Sequence, residues 1–232
     1  MKPLQTLRQN AMHPLMGIGE VVAFDLETTG LRYKEEQITQ IAAIRMGGCL
    51  MEIDDTFDTY VDPGKAIPEH IQELTHIRDE HVIGAPKPIE GLREFSRFVE
   101  NATLFGHDIY RFDCKFIEKA MKTSEEPART VQFIDTMDIF EQLWPDFSRL
   151  RNSLDDIAER LSAGLSSIRR HDAKGDAILL AHIFQRIQNH PDLEKLCSRV
   201  PVHECQLPQV IVPSERTFRG RFHQPAHLVE HF

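Results

Sequence analysis

Long apolar runs are missing from this 232-residue sequence. None approaches the roughly 18–20 consecutive apolar residues that a membrane-spanning helix requires. The first residues, MKPLQTLRQNAMHPLMG, also lack the apolar centre of a secretory signal, being broken by Arg8, Gln9, Asn10 and two prolines. A cytoplasmic location without membrane attachment is the resulting expectation. Cysteine is sparse: Cys49, Cys114, Cys197 and Cys205 form no CxxC pair. That excludes a disulfide framework and favours reduced thiols. Cys197, His203 and Cys205 lie near one another, with His190 not far off, but their spacing fits no common zinc pattern. An excess of positive charge is absent too. The formal net charge is −9, so binding of long duplex through counterion release is excluded as the main mode. Any nucleic-acid contact has to use a local patch or bound cations. No internal repeat or low-complexity tract is present.

What is there is a periodic pattern that changes partway along the chain. Residues 1–17 read as a loosely structured arm. IGEVVAF at 18–24, QITQIAAIRM at 37–46 and Cys49 to Val61 read as three strands joined by short turns, an antiparallel meander. Helical spacing then appears from Pro68 to Leu74 and from Pro88 to Glu100, where Ile89, Leu92, Phe95, Phe98 and Val99 share one face. Further helices are expected from Ile109 to Lys122, Thr136 to Trp144, Ser153 to Leu161 and Asp172 to Asn189, with short strands at Ala102 to Gly106 and Thr130 to Ile134. The implied fold class is α/β, a mixed sheet covered by helices. Residues 18–190 form the expected domain. Residues 191–232, with prolines at 191, 201, 208, 213 and 225, read as a loose extension carrying one short strand, QVIVP at 209–213.

Acidic residues fall where this pattern gathers strand ends. Asp25 and Glu27 are two apart on the first strand, so their side chains point to one face. Two buried neighbouring acids raise each other's pKa unless a cation sits between them. Asp113 opens the helix after the strand Ala102 to Gly106. Asp108 stands where a helix N-cap is expected. In HDAKGDA, Asp172 reads as an N-cap, which puts His171 ahead of the last long helix and Asp176 in its first turn. His171 and Asp176 then approach one point from different directions. Each feature alone is compatible with ordinary surface chemistry.

FDLETTGL at 24–31, HDIYRFD at 107–113 and HDAKGDA at 171–177, in that order, resemble the three motifs of the DEDDh (DnaQ-like) exonucleases, a family that includes the proofreading subunit of the bacterial replicative DNA polymerase. IPEHIQELTHIRDEHV at 67–82 resembles the segment between its first two motifs. The resemblance covers about residues 19–189. It implies an RNase H-like fold with a mixed five-stranded sheet flanked by helices, and Asp25, Glu27, Asp113 and Asp176 gathered around two divalent metal ions. Oxygen ligands suit Mg²⁺ or Mn²⁺ better than zinc. His171 is the implied general base, and Thr28, Leu31, His107 and Asp108 the implied substrate contacts. Asp108 departs from the family, which usually has Asn there, and is a rival for metal.

The resemblance implies a 3′–5′ exonuclease that releases nucleoside 5′-monophosphates from single-stranded nucleic acid, DNA favoured, alone or with a polymerase partner. Arg111, Lys115, Arg169, Arg170 and Lys174 are the nearby cations available to phosphate. RNA trimming, a non-catalytic binding module and a small-nucleotide phosphodiesterase stay open at this point, as does the oligomeric state.

Overall fold

A computed structural model describes residues 13–16, 19–47, 50–146, 153–164, 168 and 170–210. Six strands form one mixed sheet: β1 (Glu20–Thr28), β2 (Ile38–Gly47), β3 (Leu50–Tyr60), β4 (Thr103–Gly106), β5 (Ala128–Asp135) and β6 (His203–Pro208). The helices are α1 (Glu69–Thr75), α2 (Asp79–Val82), α3 (Pro88–Val99), α4 (Asp113–Ser124), α5 (Thr136–Leu143), α6 (Leu154–Arg160), α7 (Ala173–Gln188) and α8 (Leu193–Arg199). Among the described residues, no helix is long and apolar enough to cross a membrane.

The sheet order is β3-β2-β1-β4-β5-β6. The first three strands are antiparallel neighbours, whereas β1, β4 and β5 run parallel. Alternation along β1 assigns its two faces. Val21 and Ala23 join a core with Leu180, Ala181 and Phe184 of α7. Val22, Phe24 and Leu26 join a second core with Phe95 of α3 and Phe116 of α4. Asp25 and Glu27 continue the first series and therefore face the α7 side. The ring of Phe105 on β4 meets Phe184 edge-on, at 5.1 Å and 73°, which seats α7 across the sheet.

From β1 the chain turns one way to β2, while β4 leads the other way to β5. The carboxyl end of β1 is thus a switch point, where open α/β sheets leave a crevice for ligands.

Three boundaries differ from the sequence expectation. The sheet has six strands, not five. Residues assigned to the loose extension form α8 and β6, and β6 pairs antiparallel with β5 from Ala128↔Pro208 to Phe133↔His203. It covers the edge that β5 would otherwise leave unpaired, and Cys205 and Leu207 enter the α3/α4 core. Of the strand expected at 209–213, residues 209 and 210 follow β6 without strand structure, and residues 211–213 lie outside the described residues. α4 begins at Asp113 rather than Ile109, because residues 108–112 are held in a turn described below. Most of the expected N-terminal arm, like Cys49 and Arg169, lies outside the described residues, but Leu15 is buried in the α7 core and His13 Nε2 bonds the Val200 carbonyl at 3.1 Å.

Candidate active site

The crevice at the end of β1 is lined from three directions. β1 supplies Asp25 and Glu27. A β-bulge after Glu27 breaks the register with β2 and swings the chain into the turn Thr28–Gly30. Thr28 is buried, and its hydroxyl donates to the Gly30 carbonyl at 2.8 Å. Gly30 has φ +151, and a Cβ there would meet Glu36 Cγ at 3.2 Å, so glycine is needed to close this turn. Leu31 follows and is 82% exposed, a large apolar side chain held in solvent directly after the turn.

α7 supplies Asp176, in its first turn as expected. Asp172 is the N-cap residue, yet its side chain makes no capping bond. Gln40 takes over instead. This buried side chain donates to Asp172 Oδ1 at 3.2 Å and to Asp58 Oδ1 at 2.9 Å, while its Oε1 accepts the Ala173 N–H at 3.2 Å. Gln40 lies beside Glu27 in the β1–β2 register, so one residue fixes the start of α7 against the strand that carries the acids. His171, just ahead of α7, is exposed and adopts a left-handed φ of 56°.

Asp113 opens α4 on the opposite face of the sheet and is buried. The turn before it hangs on Asp135, at the end of β5 beside Gly106. Asp135 accepts the N–H groups of Asp108 (2.9 Å), Tyr110 (3.2 Å) and Met137 (2.9 Å). Asp108, with φ 54°, does not cap α4. Its carboxylate takes Arg111 Nε at 2.7 Å. His107 Nδ1 bonds Thr136 Oγ1 at 2.8 Å.

Single oxygens of Asp25, Glu27 and Asp176 lie within 4.8 Å of one another. Asp113 stands outside that trio, but its charge acts on Asp25 and Glu27's charge acts on it. Burial first, then Glu27 and Asp113, push the Asp25 carboxyl well above the usual range, with Arg170 pulling the other way. Glu27 is pushed up to about 7 by burial and by Asp172, again opposed by Arg170. Asp113 is raised well above normal by burial and by Asp135, Asp108 and Glu27, against its own backbone N–H. Asp135 is raised to about 6 by burial, despite the N–H groups that favour its charged form.

These residues suit hard divalent cations. The donors are all carboxylate oxygens. Asp113 Oδ1 is buried without a hydrogen-bond partner, and the raised carboxyls mark a site whose negative charge lacks sufficient compensation. Among the described residues, Asp25, Glu27 and Asp176 alone bring three ligand atoms close enough to share an ion, and the cysteines and histidines of the C-terminal region do not. Cys205 is buried, its sulfur against the Cys114 thiol, and His203 pairs with Asp138 at 2.7 Å.

Apart from Arg169, which lies outside the described residues, the cations expected to serve phosphate are engaged with acids. Arg111 pairs with Asp108, Lys115 with Glu118 at 3.5 Å, and Lys174 with Asp58 at 3.9 Å. Arg170 pairs with both Asp176 and Asp155. Gln40, Asp135 and the seat of Arg170 inside the cluster escape a reading of sequence alone. The available signals were slight: an acid ending β5, and an arginine directly before His171.

The exonuclease family model of RNase T type matches residues 22–184. The chain is 34% identical over 206 residues to a PolC-type DNA polymerase III of Clostridium perfringens, covering 83% of this chain and 14% of that protein. It is 29% identical over 171 residues to the DNA polymerase III epsilon subunit of Treponema pallidum, covering 72% of this chain and 76% of the relative. The solved nuclease domain of 3′hExo, a DEDDh family member bound to rAMP, superposes with a TM-score of 0.63 at 18% identity, over 81% of this chain and 97% of that one.

Proposed function

The chain belongs to the exonuclease family, and on that premise we propose that it is a 3′–5′ exonuclease of the DEDDh kind, removing nucleoside 5′-monophosphates from the 3′ end of single-stranded nucleic acid, DNA favoured, using two Mg²⁺ or Mn²⁺ ions. The observation that carries the proposal is the convergence of Asp25, Glu27 and Asp176 within 4.8 Å, on a carboxylate cluster whose raised pKa values call for added positive charge.

Asp25, Glu27 and Asp176 would hold the ions, with the unpartnered Asp113 Oδ1 completing the set. Such ions supply a nucleophile at neutral pH and stabilise charge on the leaving oxygen. His171, exposed just ahead of α7, takes a proton from the attacking water as general base. Leu31, held out by the Thr28–Gly30 turn, packs against the terminal base, and Thr28 lines the floor beneath it. His107 and Asp108 belong to the wall shared with Asp135. Because the nearby cations are committed to acids, long duplex is gripped weakly, and single-stranded ends are the better substrate. The relatives' names connect them with DNA polymerase III, and assembly with a polymerase is part of the same proposal.

The choice between DNA and RNA is tested with 5′-labelled strands of one sequence in both chemistries. The proposal expects faster shortening of DNA. Faster shortening of RNA would replace it with RNA trimming, where contact to the 2′-OH decides.

A further inference from the structure

Arg170 is the one described cation paired within the carboxylate trio. Its Nη1 meets Asp176 Oδ1, and its Nε meets Asp155 Oδ1 on α6. It also opposes the upward shift of both Asp25 and Glu27. A guanidinium stays protonated at any working pH, so proton loss cannot remove it. Its fork lets one side chain hold two carboxylates at once.

The Asp176 carboxylate is ion-paired with the guanidinium, so Arg170 and a divalent ion compete for the same negative charge. A divalent ion carries twice the charge, and among the described residues no other cation is paired with the trio. Asp155 is about half exposed, at 49%, and belongs to α6 rather than to the trio. It therefore keeps hold of Arg170 when the contact with Asp176 breaks.

We propose that Arg170 is a resident counter-ion of the carboxylate cluster, one that divalent metal must displace toward Asp155, so that Arg170 and Asp155 together set the metal affinity. The inference rests on the cation-site reading above. It makes Arg170 a positioning residue that stabilises the metal-free protein and weakens metal binding, two effects of opposite sign. An arginine with a merely structural role would support both.

Calorimetric titration of Mn²⁺ into the full chain, paired with melting in EDTA, separates these cases. Arg170→Gln is expected to bind Mn²⁺ more tightly, by roughly tenfold, while melting at a lower temperature in EDTA. Asp155→Asn, which leaves Asp176 as the arginine's only partner, is expected to bind Mn²⁺ more weakly than wild type. Should Arg170→Gln not fold, Arg170→Lys, which keeps the charge but loses the fork, is expected to fall between wild type and the Gln variant's forecast. Equal or weaker Mn²⁺ binding by the Arg170 variants, or unchanged binding by Asp155→Asn, overturns the exchange. Wild-type protein that binds no Mn²⁺ overturns the cation-site reading beneath it.

Discussion

The backbone N–H of Asp108 donates to the carboxylate of Asp135 at 2.9 Å. That bond, with those from Tyr110 and Met137, ties the end of β5 to the turn that aims Asp113. An amide at position 135 turns its NH₂ toward one of these donors. Asp135→Asn is therefore expected to cost about 1–3 kcal/mol, the penalty of a buried polar group left without a partner, and to lower nucleotide release as well. Urea unfolding and a product assay measure the two effects. A variant with wild-type stability and rate would mean the turn holds itself.

Gln40 plays the matching part on the other side of the crevice. Gln40→Leu removes the acceptor of the Ala173 N–H and the donor to Asp172 while keeping comparable volume. A loss of about 1–3 kcal/mol is expected in urea unfolding. Mn²⁺ affinity should fall with it, because Asp176 rides on the first turn of α7. Unchanged metal affinity would show that α7 is seated by its apolar face alone.

Removal of the proposed general base separates chemistry from metal binding. His171 is exposed and lies outside the carboxylate trio. His171→Ala should lower the rate by roughly 10²–10⁴-fold and leave Mn²⁺ binding as in wild type. A rate within a few-fold of wild type would remove His171 from the mechanism.

The carboxylates also fix a pH dependence. Glu27 has an ordinary value of 4.5 and is raised to about 7 in the folded chain. The folded, metal-free protein thus keeps a proton that the unfolded chain has lost throughout that window. Its stability falls as pH rises from about 4.5 to about 7 and does not return above it. Divalent metal should restore more stability above pH 7 than below pH 5, since it binds the deprotonated acids. Melting temperatures in EDTA and in Mn²⁺ across this range test the sign. Glu27→Gln should flatten the EDTA profile, and an unchanged slope in that variant would assign the dependence to other groups.

Much of the site was legible because its chemistry sits on local periodicity. Asp25 and Glu27 are two apart on a strand whose alternate residues are apolar, and Asp172 announces the start of α7 so that Asp176 falls in its first turn. The failures share a physical origin in contacts distant along the chain. Helical spacing from Ile109 onward is real, but Asp135, 27 residues after Asp108, holds residues 108–112 in a turn and delays α4 to Asp113. Asp108 has the chemistry of a cap, yet Arg111 takes its carboxylate. β6 looked like loose chain because prolines surround it. Its partner, β5, lies 70 to 80 residues earlier, and only that pairing reveals Cys205 and Leu207 as inward-facing. Arg170 reads as a surface cation until α6 brings Asp155 beside it.

On the proposed reading, carboxylates from β1, α4 and α7 form one cation-dependent centre that shortens strands from the 3′ end. The most direct measurement follows a 5′-labelled single strand with purified wild-type protein and with Asp25→Ala, each in Mn²⁺ and in EDTA. Wild type in Mn²⁺ should give a ladder of labelled strands shortened stepwise from the 3′ end, absent in EDTA and absent for a folded Asp25→Ala. A wild-type ladder that persists in EDTA, or an equal ladder from Asp25→Ala, would contradict the account.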